Sequence, residues 1–330
     1  QQRAGAATLD TVARPDDAAV VTETTVADST APVVAGRETL GDGELSTRML
    51  VLGAARHGGA IVAAEAFAVA ETCGRSSEQV RSCLRRLVSE GLFAREGVGQ
   101  RAVYTPTEAG HAALGAFAQR TRLAFRQDSA REAWDRRWRL VGFAVPEAQR
   151  TARDALRDHL CRLGGAPVQG GLYVSAHPWS RQVAHAADRL GVAAHLTQAT
   201  TDELSVGGVS DPRALAARLW PVERIAERYR SFVDRWSLVP IALAELRDQH
   251  QHLPDRAYLP GAIAMALAYS SCFDADPLLP PELLPQPWPG REARDLLFRS
   301  RRLALALRDE HEGPALFRAF DHPEDMEESG

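Results

Sequence analysis

The run Arg75-Ser76-Ser77-Glu78-Gln79-Val80-Arg81-Ser82-Cys83-Leu84-Arg85-Arg86-Leu87-Val88-Ser89-Glu90-Gly91 constrains this chain more than any other stretch. Ser76 or Ser77 can cap a helix there, and Gly91 can end it. Val80, Leu84, Leu87 and Val88 recur at helical spacing, which predicts one buried stripe. Gln79, Ser82, Arg86 and Ser89 point the opposite way, with Arg81 and Arg85 on the flank. A face of that composition donates hydrogen bonds and carries positive charge.

The neighbouring segments give that helix a setting. Residues 45–56 and 61–70 have the periodicity of two short helices, stopped by His57-Gly58-Gly59 and Cys73-Gly74. Residues 92–95 and 101–105 read as two short strands around Glu96-Gly97-Val98-Gly99-Gln100, a glycine-turned hairpin. Pro106-Thr107-Glu108 opens another helix toward Phe125. Three helices and a hairpin in this order predict a winged helix-turn-helix, whose third helix enters the major groove.

Charge supports that expectation. The whole chain carries a net charge of -4, yet residues 44–126 hold eleven arginines against seven acids, while residues 1–43 hold three against seven. An isolated arginine-rich helix is ordinarily a solvated face. Helix order, local charge and the hairpin together turn this one toward DNA. The candidate DNA-binding residues are Arg75, Ser76, Ser77, Gln79, Arg81, Ser82, Arg85, Arg86, Arg101 and Tyr104. Arginine is the commonest reader of guanine edges, serine and glutamine reach bases or phosphates, and a helix N-terminus can hold a phosphate.

Other chemistry finds little support. Cys73, Cys83, Cys161 and Cys272 show no C-x-x-C pairing, and the ten histidines form no H-E-x-x-H, so neither a metal site nor a disulfide framework is expected. No G-x-S-x-G, Walker A or G-x-G-x-x-G is present, and no cofactor or enzymatic activity is expected. Gly164-Gly165, Gly170-Gly171 and Gly207-Gly208 are turn signals. No stretch of about 18 apolar residues occurs, which predicts a cytoplasmic protein without a membrane partner.

The remainder divides the chain. Residues 1–43 and 321–330 read as solvated tails, the second acidic. Residues 138–145, 147–163, 169–175, 180–190 and 194–198 alternate strand and helix, predicting a ferredoxin-like unit over 127–210. Helices are expected at 212–219, 223–236, around 262–273 and at 292–307, within a helical unit over 211–320. With 44–126 as the DNA-binding unit, the fold class is α+β.

Several motifs resemble the PaaX-type transcriptional regulators, a family named for repression of phenylacetate catabolism. They are Leu84-Arg85-Arg86-Leu87-Val88-Ser89-Glu90-Gly91, Gly99-Gln100-Arg101-Ala102-Val103-Tyr104, Thr107-Glu108-Ala109-Gly110, Trp134-Asp135-Arg136-Arg137-Trp138 and Val168-Gln169-Gly170-Gly171-Leu172-Tyr173. The most distinctive is Asp276-Pro277-Leu278-Leu279-Pro280-Pro281-Glu282-Leu283-Leu284-Pro285, leading to Trp288-Pro289-Gly290. The resemblance implies a Cas2-like central unit. Nuclease relatives need an acidic metal ligand at the end of the first strand, and Leu140-Val141-Gly142-Phe143-Ala144-Val145-Pro146 offers none, so a structural or dimerising platform is expected. It also implies a homodimer on a palindromic duplex operator, acting as a repressor and released by an acyl- or aryl-coenzyme A thioester.

Tyr269, Ser270, Asp276 and Trp288 are the candidate effector-binding residues. The family usually carries a His-Glu-Tyr-Arg-Arg-like cluster just before the Asp-Pro motif, where this chain has Leu267-Ala268-Tyr269-Ser270-Ser271. Two readings stay open: lost partners for an anionic ligand, or a structural ion network replaced by apolar packing. An enzyme or small-molecule binder on the same fold, with a pocket between the central and C-terminal units, is the alternative function.

Overall fold

A computed structural model describes residues 47–56, 58–129, 131, 133–308 and 316–317. The expected tails, 1–43 and 321–330, lie outside the described residues.

The N-terminal unit runs α1 (Thr47–Gly53), β1 (Ile61–Val62), α2 (Ala63–Thr72), α3 (Ser77–Ser89), β2 (Phe93–Glu96), β3 (Val103–Pro106) and α4 (Glu108–Asp128). Its three strands are antiparallel in the order β1-β3-β2. Ile61 and Val62, expected to start a helix, instead pair with Tyr104 and Val103. The hairpin's free edge takes them, and Ile61 becomes fully buried. The buried stripe of α3 is Val80, Leu84 and Leu87, whereas Val88, expected to share it, is exposed. Val88 lies about 80° round the helix from Val80 at 3.6 residues per turn, at the rim of the stripe.

Helix α4 is anchored where it begins. Thr107 caps it by accepting from the Gly110 amide at 3.1 Å, while its hydroxyl donates to the Gly91 carbonyl at 2.6 Å. One threonine thereby ties the end of the α3 segment to the start of a 21-residue helix that runs into the rest of the protein.

The central unit follows the expected alternation: β4 (Trp138–Phe143), α5 (Arg150–Arg162), β5 (Ala166–Gln169), β6 (Leu172–Ser175), α6 (Ser180–Arg189) and β7 (Leu196–Thr201). The strands form one antiparallel sheet in the order β5-β6-β4-β7. Alternation along β4 sends Val141 and Phe143 to the face covered by α5 and α6, where Leu156, Leu160, Tyr173 and Trp179 pack. Trp138 and Leu140 go to the other face, which meets Leu215, Leu279, Leu283 and Leu284 from the C-terminal half. The proline-dense motif is therefore a cover for the sheet, and Leu279 is fully buried beneath it.

The C-terminal unit consists of α7 (Pro212–Leu219), α8 (Val222–Trp236), α9 (Val239–Asp248), α10 (Asp255–Phe273) and α11 (Pro289–Ala306). Helix α9 was not among the expected helices; its Pro240 occupies the first turn, where no intrahelical amide is needed. Helix α10 starts seven residues earlier than expected and carries Pro260 inside it. Local propensity opposes that turn by about 3 kcal/mol. Tertiary burial of Tyr258, Leu259 and Ile263 offsets the cost, at roughly 1.5–3 kcal/mol for each such side chain.

Those three residues bury against the N-terminal unit. Leu50, Val51, Val69, Val80 and Leu84 share one continuous core with Leu243, Leu253, Tyr258, Leu259, Ile263 and Leu307. The two units are therefore packed through a common apolar interior. Among the described residues, no helix is long and apolar enough to cross a membrane.

Candidate nucleic-acid interface and effector region

Helix α3 is started by a complete capping box. The Gln79 amide donates to Ser76 Oγ at 3.2 Å, and the Ser76 amide donates back to Gln79 Oε1 at 2.9 Å. Both side chains are occupied in holding the helix start. Ser77 is exposed in its first turn, Ser82 is half-buried, and Arg75 is half-buried before the cap.

Arg81, Arg85 and Arg86 are all exposed. Arg85 Nη2 lies 2.9 Å from Glu78 Oε1, and Arg81 Nη1 is 3.7 Å from Glu78 Oε2. The Arg85 guanidinium first, then Arg81, holds the Glu78 carboxyl below its ordinary range. Arg81 also sits 5.5 Å from the centre of the Phe67 ring. Arg86 has no carboxylate within ion-pair distance among the described residues.

The hairpin extends the basic surface. Gly97 and Gly99 take the left-handed conformation at φ 78° and 61°, leaving Val98 at the tip 80% exposed between them. Arg95 and Arg101 are exposed on either side. Arg95 carries no sequence signal of its own, since only its nearness to the tip sets it apart. Tyr104 is placed differently from expectation: it is buried, beside Ile61 in the sheet, and packs into the core shared with the helices. Its ring belongs to the core.

The candidate effector residues lie in the interior as well. Tyr269, Ser270 and Asp276 are buried and Trp288 is half-buried. Tyr229 is the hub of three of them. Its hydroxyl donates to Asp276 Oδ2 at 2.9 Å, and its ring lies 6.4 Å from Tyr269 and 6.0 Å from Trp288. Asp276 Oδ1 accepts from the Leu278 amide at 2.8 Å. Burial pushes the Asp276 carboxyl and both tyrosine hydroxyls above their ordinary values.

Helix α4 reaches into the same network. Arg120 Nη2 donates to the carbonyls of Phe273 and Asp276 at 3.0 and 2.7 Å, and Gln127 Nε2 donates to that of Leu278 at 2.8 Å. Asp128 pairs with the buried Arg294 of α11. Nothing in sequence spacing marks these partners, which lie about 150 or more residues from the segments they bind.

Residues 131–216 match the PaaX protein central Cas2-like domain, and residues 220–311 match the PaaX-like protein C-terminal domain. This chain belongs to the PaaX-type family. The Cas2-like and helical C-terminal parts of its fold follow from those matches. Among solved structures, the uncharacterized protein Rv0674 from Mycobacterium tuberculosis is similar at 21% identity, covering 80% of this chain and 99% of its own, with a TM-score of 0.46. No curated protein matches the chain.

In this PaaX-type chain the altered Leu267-Ala268 pair is absorbed into apolar packing, each residue lying against a different core. Ser271 Oγ donates to the Ala268 carbonyl at 2.7 Å. That arrangement favours the packing reading of the departure. Two clefts stand apart from the aromatic network. One, of about 550 Å³, belongs to the central unit and is lined by Phe143, Arg153, Arg157 and Tyr173 among others. A smaller one, about 170 Å³, lies between the central unit and Pro280, with Trp134, Asp135, Arg139 and His177 on its walls. Asp135 is paired with Arg139 there.

Proposed function

We propose that this chain is a sequence-specific DNA-binding transcriptional regulator, a repressor modulated by a small-molecule effector. The single observation that carries the proposal is the exposed triad Arg81, Arg85 and Arg86 on a capped helix whose opposite stripe is fully buried. In this reading residues 44–126 are a winged helix-turn-helix and α3 is its recognition helix, with 127–210 and 211–320 as the central and effector units. Arg85 and Arg86 read bases, with Ser82 and Gln79 at the margin. Ser77 and Arg75 hold phosphate near the helix start, where Ser76 is committed to the cap, and Arg95 and Arg101 of the hairpin touch the backbone or minor groove. Membership of the family supports a homodimer on a palindromic site.

The effector, of the acyl- or aryl-coenzyme A class, acts through α4 in this proposal. That helix begins at the cap beside α3 and ends in contacts to Phe273, Asp276, Leu278 and Arg294. A change in the C-terminal half therefore has a direct mechanical route to the reading helix.

The test is binding of the full chain to its own promoter DNA across a salt series, beside an Arg85→Ala/Arg86→Ala variant. Sequence-selective binding that weakens with salt and is lost in the variant supports the proposal. No binding at low salt, or equal binding by the variant, overturns it.

A further inference from the structure

The larger cleft sits where β4 ends, between α5 and the β5–β6 turn. Its charged lining is two guanidiniums, Arg153 and Arg157, and no carboxylate lines it. The carboxylates that pair with them, Glu147 at 2.7 Å from Arg153 and Asp154 at 3.7 Å from Arg153 and 3.8 Å from Arg157, stand outside the lining. Such a wall attracts anions and repels metal cations.

Orientation is built in. Arg157 Nε donates to the Tyr173 hydroxyl at 3.1 Å, which fixes the fork relative to a ring buried at the back of the cleft. Phe143 stacks on that Tyr173 ring, with centroids 5.7 Å apart and planes 18° from parallel, and stays half-exposed. A planar ring can continue the stack. Gln169, exposed on the same lining, offers an amide able both to donate and to accept. A volume of about 550 Å³ lies within the range that takes metabolite-sized ligands.

We infer that this cleft binds a small planar-ring anion, its carboxylate or phosphate held by Arg153 and Arg157 and its ring stacked on Phe143. Guanidinium forks match the paired oxygens of either acid group, so the two share one recognition chemistry. This site is separate from the DNA-binding proposal and needs no nucleic acid to be occupied.

Calorimetric titration of the full chain with benzoate, with adenosine monophosphate, and with cyclohexanecarboxylate and inorganic phosphate as ringless or non-planar controls tests the inference. Saturable binding of benzoate or of the nucleotide is expected, and whichever binds names the acid group. Affinity should fall at least tenfold in Arg157→Gln and in Ala144→Glu. The second variant places a carboxylate on the exposed lining without touching the core. Arg85→Ala should bind as the parent does. Failure of both ring anions, equal affinity for the controls, or full affinity in a folded Ala144→Glu overturns the inference, whatever the chain does with DNA.

Discussion

The Arg294 guanidinium grips the Asp128 carboxylate with two nitrogens, Nε to Oδ2 at 2.6 Å and Nη2 to Oδ1 at 2.8 Å, across 166 residues of sequence. The arginine side chain is 3% exposed, so the pair is held largely out of water. It joins the last turn of α4 to α11, and therefore joins the N-terminal unit to the C-terminal helices.

Removing one partner of such a pair strands the other charge. Asp128→Ala is expected to cost about 3–5 kcal/mol, read from urea unfolding, because Arg294 would stay buried without its counter-ion. A loss below about 1 kcal/mol would show that water reaches Arg294 after all.

The Asp276 carboxyl gives stability a pH dependence of defined sign. Burial raises its folded-state value above the ordinary value of about 3.9, so between the two values the folded protein holds more protons than the unfolded chain. Stability from this group is present below the unfolded value and lost as pH rises through the folded one. Relative to Asp276→Asn, the parent should lose urea resistance as pH rises from about 4. Tyr229→Phe removes a donor that favours the charged form, which should extend the window of loss to higher pH.

Glu78 is expected to restrain the basic face of α3 by pairing with Arg85 and Arg81. Under the regulator proposal, Glu78→Gln should raise DNA affinity at low salt and steepen the salt dependence, by about 0.9 in the log-log slope for each further phosphate neutralised. Filter binding or fluorescence anisotropy at several salt concentrations decides it. Unchanged affinity and slope would mean that neither arginine meets phosphate.

Gly110 stands where no other residue fits. A Cβ there would lie 2.0 Å from the Leu92 carbonyl oxygen, and that oxygen already accepts from the Thr107 amide at 3.0 Å. Neither backbone can retreat without losing the α4 cap. Gly110→Ala should therefore destabilise by about 1–3 kcal/mol, the usual cost of overpacking, in a thermal or urea melt. A neutral result would show that the start of α4 shifts freely.

Local signals in the sequence were sufficient for several elements whose capping and periodicity are set by near neighbours. The cap of α3 and its stripe apart from Val88, the glycine turn at Gly97 and Gly99, and the strand-helix alternation of 138–201 each depend on spacing within about 20 residues, and each was legible. The exposed arginines followed from the same helical periodicity. What tertiary structure alone decided were the partners. Ile61 left its helix for the open edge of β3, Tyr104 was drawn into the core that the helices share with that sheet, and α10 was carried through Pro260 by burial against the N-terminal core. Asp128, Tyr229 and Arg294 became a network around Asp276 with no spacing to announce it. The physical reason is that capping and periodicity are set by neighbours in sequence, whereas burial, and with it the worth of a charge or hydroxyl, is set by whatever distant segment arrives to exclude water.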